Sequence, residues 1–271
     1  MDFFKLFKDA FFYPTNEWGK LLLLGFLNIL VGIASIYKGY QTGTLLGGSS
    51  ATITNLSWQP DFIFLLLLVL GLIAFIVVSG YLLSIVRESI ALKRKTPDFA
   101  LTENIVGGLK VSLMAIAYLI LPAIVIFVGI LATQFISILG SILVIIGIIL
   151  TIVVVLLLPI ATGKLAETDN LLAAINIKDI FYKISEIGWS KYIVWLVVLL
   201  VLEYAIYFIG TIIIGLIISI RAIGNDPTGH SILLLIISLL ILYPFLLVFG
   251  ARALGLFYSN KNSYVDWLTE K

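Results

Sequence analysis

The sequence predicts an all-α fold, a polytopic transmembrane helical bundle, and three observations carry that prediction. Of the 271 residues, 61% are hydrophobic and only 12% charged, with a mean hydropathy of +1.17; a soluble domain has about 25% charged residues. Several apolar runs exceed the roughly 18 residues that a spanning helix needs. Runs such as Ser141 to Ala161 show none of the alternation that a membrane β-barrel strand requires.

The apolar runs resolve into six spans, at about 21–37, 62–86, 111–131, 142–162, 192–220 and 232–257, within one integral membrane domain covering 1–271. They pair as three parallel hairpins, each preceded by an amphipathic interfacial helix, in units of about 1–95, 96–165 and 166–258. Met1 to Tyr13 forms the first such helix. Phe3, Phe7, Ala10 and Phe11 share a face with Leu6 beside them, while Asp2, Lys5, Lys8 and Asp9 stay polar. Pro14 ends it, and Trp18 and Lys20 sit where headgroup anchors belong. No small-residue cleavage pattern follows the first apolar run, so that span is expected to insert as an uncleaved signal.

In the first span Gly25, Asn28, Gly32 and Ser35 form a small or polar stripe suited to close helix contact in lipid. The loop of about Lys38 to Asp61 holds Asn55-Leu56-Ser57, which reads as either an N-glycosylation acceptor or an unmodified loop asparagine. Arg87, Lys93, Arg94 and Lys95 close the second span, and Asp98 to Lys110 forms the second amphipathic segment. No charge occurs from Val111 to Gly163, a stretch divided at the polar cluster Thr133 to Ser141. Asp169 is the expected N-cap of a third amphipathic helix carrying Leu172, Ile175, Ile180, Phe181, Ile184 and Ile187. Arg221 to Gly229 reads as a tight turn before the last span.

Orientation follows from the basic residues. With both termini inside, fifteen of the 17 lysines and arginines lie on the cytoplasmic side, and only Lys38 and Arg221 lie outside. The positive-inside rule therefore puts a multi-pass protein in the cell membrane with cytoplasmic N- and C-termini. An internal repeat is also visible. Lys8-Asp9-Ala10-Phe11-Phe12 resembles Lys178-Asp179-Ile180-Phe181-Tyr182, and Phe75 to Gly80 resembles Phe245 to Gly250, both at an offset of 170. Units that start and end inside are parallel repeats.

The stretch from Gly80 onward carries a further pattern: Gly80-Tyr81, Arg87, Pro97-Asp98-Phe99, Gly108-Leu109-Lys110, then Tyr118 and Pro122. It resembles the signature of the domain of unknown function 4013 family, polytopic membrane proteins found mainly in archaea. Ala100 to Asn104 departs from it in lacking a tryptophan. The family has no established activity, so the resemblance implies fold and membrane location alone.

Composition and motifs narrow the chemistry. A net charge of +2 implies no nucleic-acid partner, and the absence of cysteine excludes thiol catalysis and disulfides. His230 is the sole histidine, so neither a metal centre nor a cofactor is expected, and no HExxH, GxSxG or Walker A pattern occurs. Glu203 lies about 12 residues into its span, roughly 18 Å deep. An ionisable residue at such depth is a functional candidate, or else a protonated acid hydrogen-bonded to another helix. Tyr204, Tyr207 and Asn28 are its candidate polar neighbours. Arg87, Lys93, Arg94, Lys95 and Arg252 are candidate contacts for anionic membrane lipid, with Arg252 snorkelling to the headgroups. The expected function is a non-enzymatic membrane module that binds lipid or a membrane partner protein; the alternative is a small secondary transporter or channel using Glu203.

Overall fold

The computed structural model of the chain describes residues 2–41, 61–220 and 233–259, and no strand occurs among them. In chain order the helices are α1 (Phe3–Phe12), α2 (Trp18–Gln41), α3 (Phe62–Ile90), α4 (Leu101–Thr133), α5 (Ser137–Thr168), α6 (Leu171–Ile175), α7 (Ile177–Ile187), α8 (Trp189–Ile220) and α9 (Leu233–Ser259). Six of them, α2, α3, α4, α5, α8 and α9, are long and apolar enough to cross a membrane, which makes the chain a multi-pass membrane protein. Large apolar side chains lie exposed along α3, α4, α5 and α8, a surface suited to hydrocarbon rather than to water. Asn55, the turn at 221–229, His230 and the tail beyond residue 259 lie outside the described residues.

Each observed span outruns its apolar core. The 33 residues of α4 reach about 50 Å, well beyond a hydrocarbon core of about 30 Å. The expected amphipathic segment at 98–110 is not a separate helix. It forms the first turns of α4, because Asn104 and Gly108 are buried against α3 and leave no place for a break. The third amphipathic helix is divided instead. Asn176 accepts from the Lys178 amide and separates α6 from α7. Nor does Asp169 cap it: Asn170 accepts from the amides of Leu172 and Ala173, while Asp169, at φ 52°, closes the end of α5.

On α1 the buried residues are Leu6, Phe7 and Ala10, whereas Phe11 is half exposed. The buried stripe is thus turned toward Leu6, and Asp9 falls at its edge.

Glycines set how closely the spans pack. Gly80 of α3 lies against the Asn104 carbonyl of α4, and Gly108 of α4 lies against the Ile76 carbonyl of α3. Gly25 of α2 meets the Leu240 carbonyl in a π-helical turn, Ser238–Leu242, of α9. Pro244 has no N–H to give that carbonyl, so the ladder shifts and Tyr243 donates to Ser238 instead. Asn28, one turn beyond Gly25 on α2, has its side-chain nitrogen buried without a hydrogen-bond partner.

Candidate functional site

The α1 end of the bundle is where charge accumulates. Arg252 of α9 is fully buried, so it does not snorkel to the headgroups as the sequence suggests. Its Nε donates to Asp9 Oδ2 at 2.9 Å, and its Nη1 donates to Ser89 Oγ at 3.3 Å and to the Lys93 carbonyl at 2.6 Å. Nη2 lies 2.9 Å from the same Asp9 oxygen, at an angle that makes no hydrogen bond. The guanidinium stands 4.5 Å from the centre of the Tyr13 ring.

Local structure explains why these partners converge. After α3 the chain closes a Schellman turn: Leu92 adopts φ 59°, its amide bonds the Ser89 carbonyl, and the Lys93 amide bonds the Glu88 carbonyl. The turn aims the Lys93 carbonyl at Arg252. Leucine in a left-handed conformation costs on the order of 1 kcal/mol. Leu92 recovers part of that by packing on the core. Tyr13 donates to the Lys95 carbonyl at 3.2 Å, and burial pushes its phenol up to about 12, so it stays a neutral donor.

Above Arg252 opens a crevice of about 490 Å³ lined by Lys5, Lys8, Asp9, Phe12, Tyr13, Asn16, Arg94 and Arg252. It holds four basic residues and one carboxylate. Phe12 on its wall is more than half exposed, as are Phe4 of α1 and Trp18 at the start of α2. Sequence reasoning found Arg94 and Arg252 but missed Asp9, Lys5 and Lys8 as parts of one site. The usable signal was the position of Asp9 three residues after Leu6, at the margin of the apolar stripe.

The other basic candidates are engaged elsewhere. Arg87 donates to Asp169 Oδ1 at 2.7 Å, and Lys110 lies 2.9 Å from Asp169 Oδ2. The hydrogen bond from Lys110, helped by the charge of Arg87, holds the Asp169 carboxyl below its usual range. This node borders a second pocket, of about 290 Å³, with Gly80, Gly107 and Glu103 among its walls. Lys93 pairs with Glu88 at 2.8 Å, and Lys95 approaches Asp98 at 3.8 Å. Lys20 bonds Asp98 and Glu17 and lowers both carboxyls.

Glu203 lies apart from this end, on a groove of about 470 Å³ between α3, α8 and α9. Its Oε1 sits over Gly250, where a Cβ would collide with it. Among the described residues it has neither a hydrogen bond nor an ion pair. The expected polar cluster does not assemble. Tyr204 is 70% exposed and stacks on Phe208, Tyr207 meets Tyr243 edge-on at 5.9 Å, and the Asn28 side-chain nitrogen is buried without a hydrogen bond. Of these contacts only Tyr243 shares the groove with Glu203.

Beyond the ion pairs of Arg87, Asp98 and Lys110, the motif read from Gly80 onward contributes two tyrosine hydrogen bonds. Tyr81 donates to the Pro97 carbonyl, and its ring lies tilted against that of Phe99 at 5.4 Å. Tyr118 donates to the Ala174 carbonyl at 2.9 Å and so ties α4 to α6. The family model described as protein of unknown function (DUF4013) matches residues 63–215. No curated protein and no solved structure matches the chain.

Proposed function

The chain belongs to the DUF4013 family, and from that premise we propose a non-enzymatic membrane module that binds anionic lipid at its charged end. The observation that supports this reading is the basic crevice, lined in part by the exposed ring of Phe12 on α1. Aromatics that enter the interface and cations that meet phosphate are the two elements of peripheral lipid recognition. The full chain, purified and mixed with vesicles, is expected to retain anionic lipid over phosphatidylcholine. Lys8→Gln is expected to weaken that preference about fivefold, the worth of roughly 1 kcal/mol per basic group near the surface. Retention indifferent to lipid charge would transfer the crevice to a partner protein.

Cytoplasmic termini in the cell membrane complete the reading, supported by the fifteen-to-two distribution of basic residues. A cysteine at Gln134, in the exposed turn between α4 and α5, is expected to react with an impermeant thiol reagent applied to intact cells. One at Lys178, exposed on α7, is expected to stay unlabelled. The chain has no native cysteine to confuse the result. The opposite pattern reverses the orientation. We also read the first and third units as parallel repeats, because α1 and α7 each bury one apolar stripe just before a span. The middle unit has no such helix.

A second reading, a carrier or channel, is favoured by one observation: Glu203 faces a groove with no polar partner among the described residues. Glu203→Gln keeps the shape and a hydrogen-bonding group, so folding and lipid retention are expected to match the parent chain. If proteoliposomes carry a proton- or cation-dependent flux that this substitution abolishes, the lipid-module reading gives way to transport.

A further inference from the structure

We infer that the crevice at the α1 end recognises an anionic lipid headgroup bearing hydroxyl groups, a phosphodiester of glycerol or of a sugar alcohol. This rests on the lipid reading above and adds what the headgroup must carry. The argument turns on Asp9. Lys5, Lys8 and Arg94 supply cations for a phosphate, yet Asp9 stands in the same crevice with its side chain 26% exposed. Its Oδ2 is held by Arg252, while its Oδ1 has no hydrogen bond among the described residues. A bare phosphate pressed into this space meets that carboxylate as a like charge and leaves Oδ1 desolvated without a donor. A hydroxyl on the headgroup removes both penalties by donating to Oδ1.

Asn16 extends the argument. It is exposed on the crevice wall, and its side-chain amide has no hydrogen bond among the described residues, so it offers both a donor and an acceptor to a second hydroxyl. Amine-bearing headgroups fit less well. Their ammonium enters a space with four basic residues, where the one carboxylate among the described lining residues is already shared with Arg252. Selection here comes as much from what the crevice repels as from what it binds. A volume of about 490 Å³ also leaves room for a headgroup larger than phosphate.

The test uses the full chain in detergent, equilibrated with vesicles of phosphatidylcholine doped in turn with phosphatidylglycerol, phosphatidylinositol, phosphatidic acid or phosphatidylserine, and reads bound lipid by native mass spectrometry. Phosphatidylglycerol and phosphatidylinositol are expected to be retained about tenfold over the other two, the value of one charge-assisted hydrogen bond. Asn16→Leu is expected to narrow that difference about threefold, the worth of one neutral hydrogen bond, leaving the share carried by Asp9 and the preference for anionic lipid. Lys8→Gln is expected to lower every anionic lipid alike, and Lys178→Gln, remote from the crevice, to change nothing. Equal retention of phosphatidic acid and phosphatidylglycerol overturns the hydroxyl requirement and leaves the lipid reading standing. Retention no better than phosphatidylcholine overturns both.

Discussion

Replacing Asp9 with alanine is expected to cost about 3–5 kcal/mol of stability, the range for removing one partner of a buried ion pair. The loss falls on Arg252, which is fully buried and is left without a counter-charge when its partner is gone. Its remaining bonds, to the Ser89 hydroxyl and the Lys93 carbonyl, supply oxygen acceptors but no negative charge. Arg252→Met is expected to cost less, because Asp9 sits at the crevice edge and can be solvated. The double variant Asp9→Leu with Arg252→Met is expected to regain much of the loss, since apolar side chains of similar volume can replace a buried pair. Thermal unfolding in detergent, followed by the monodisperse fraction on size exclusion, measures all three. Single variants as stable as the parent would show that α1 does not depend on this pair.

How far such a pair was legible in the sequence depends on what sequence encodes. Depth along a helix is readable, since each residue adds a fixed rise and the apolar runs mark the hydrocarbon. Hence the six spans, and the notice given to Glu203 and Arg252, follow from one-dimensional pattern. Azimuth and partners are not readable, because they are set by helices distant in the chain. Asp9 and Arg252 stand 243 residues apart. No local rule joins them, and a snorkelling arginine at a span end has the same sequence as a buried one.

The Glu203 neighbourhood depends on distant helices in the same way. Tyr207, four residues on, meets Tyr243 of α9, which lines the Glu203 groove, while Tyr204 faces outward. The segment at 98–110 read as a separate amphipathic helix because its polar residues interrupt the apolar run. Asp98, Thr102 and Glu103 do stay exposed, but Asn104 and Gly108 are buried against α3, which periodicity alone does not reveal. By contrast, the resemblance read from Gly80, Arg87 and Gly108-Leu109-Lys110 named the family whose model matches the chain. What the pattern did not disclose is that Tyr81 ties down the chain at Pro97 and Tyr118 ties α4 to α6.

Within that same motif, Gly108→Ala is expected to be among the most damaging single changes, while Gly107→Ala next to it is expected to be tolerated. A Cβ at Gly108 lands on the Ile76 backbone carbonyl, and one at Gly80 lands on that of Asn104. Backbone cannot move aside as a side chain does, so α3 and α4 must separate along their whole crossing. In lipid that loss is severe, because helix association there rests on close packing rather than on exclusion of water. Overpacking costs about 1–3 kcal/mol when side chains can adjust, and more is expected where the obstacle is backbone. At Gly107 the nearest atoms to an added Cβ are 3.5 Å away, an ordinary contact. There the substitution removes a glycine from a helix interior, which favours the folded state by up to about 1 kcal/mol. The two neighbours therefore share composition, helix and depth, and differ only in what their missing side chains would strike. Gly108→Ala and Gly80→Ala are expected to lower the thermal midpoint and the folded yield sharply, with Gly107→Ala at or above the parent. If Gly107→Ala and Gly108→Ala prove equally stable, α3 and α4 do not cross at this contact, and the node joining Arg87, Lys110 and Asp169 loses the geometry that places it.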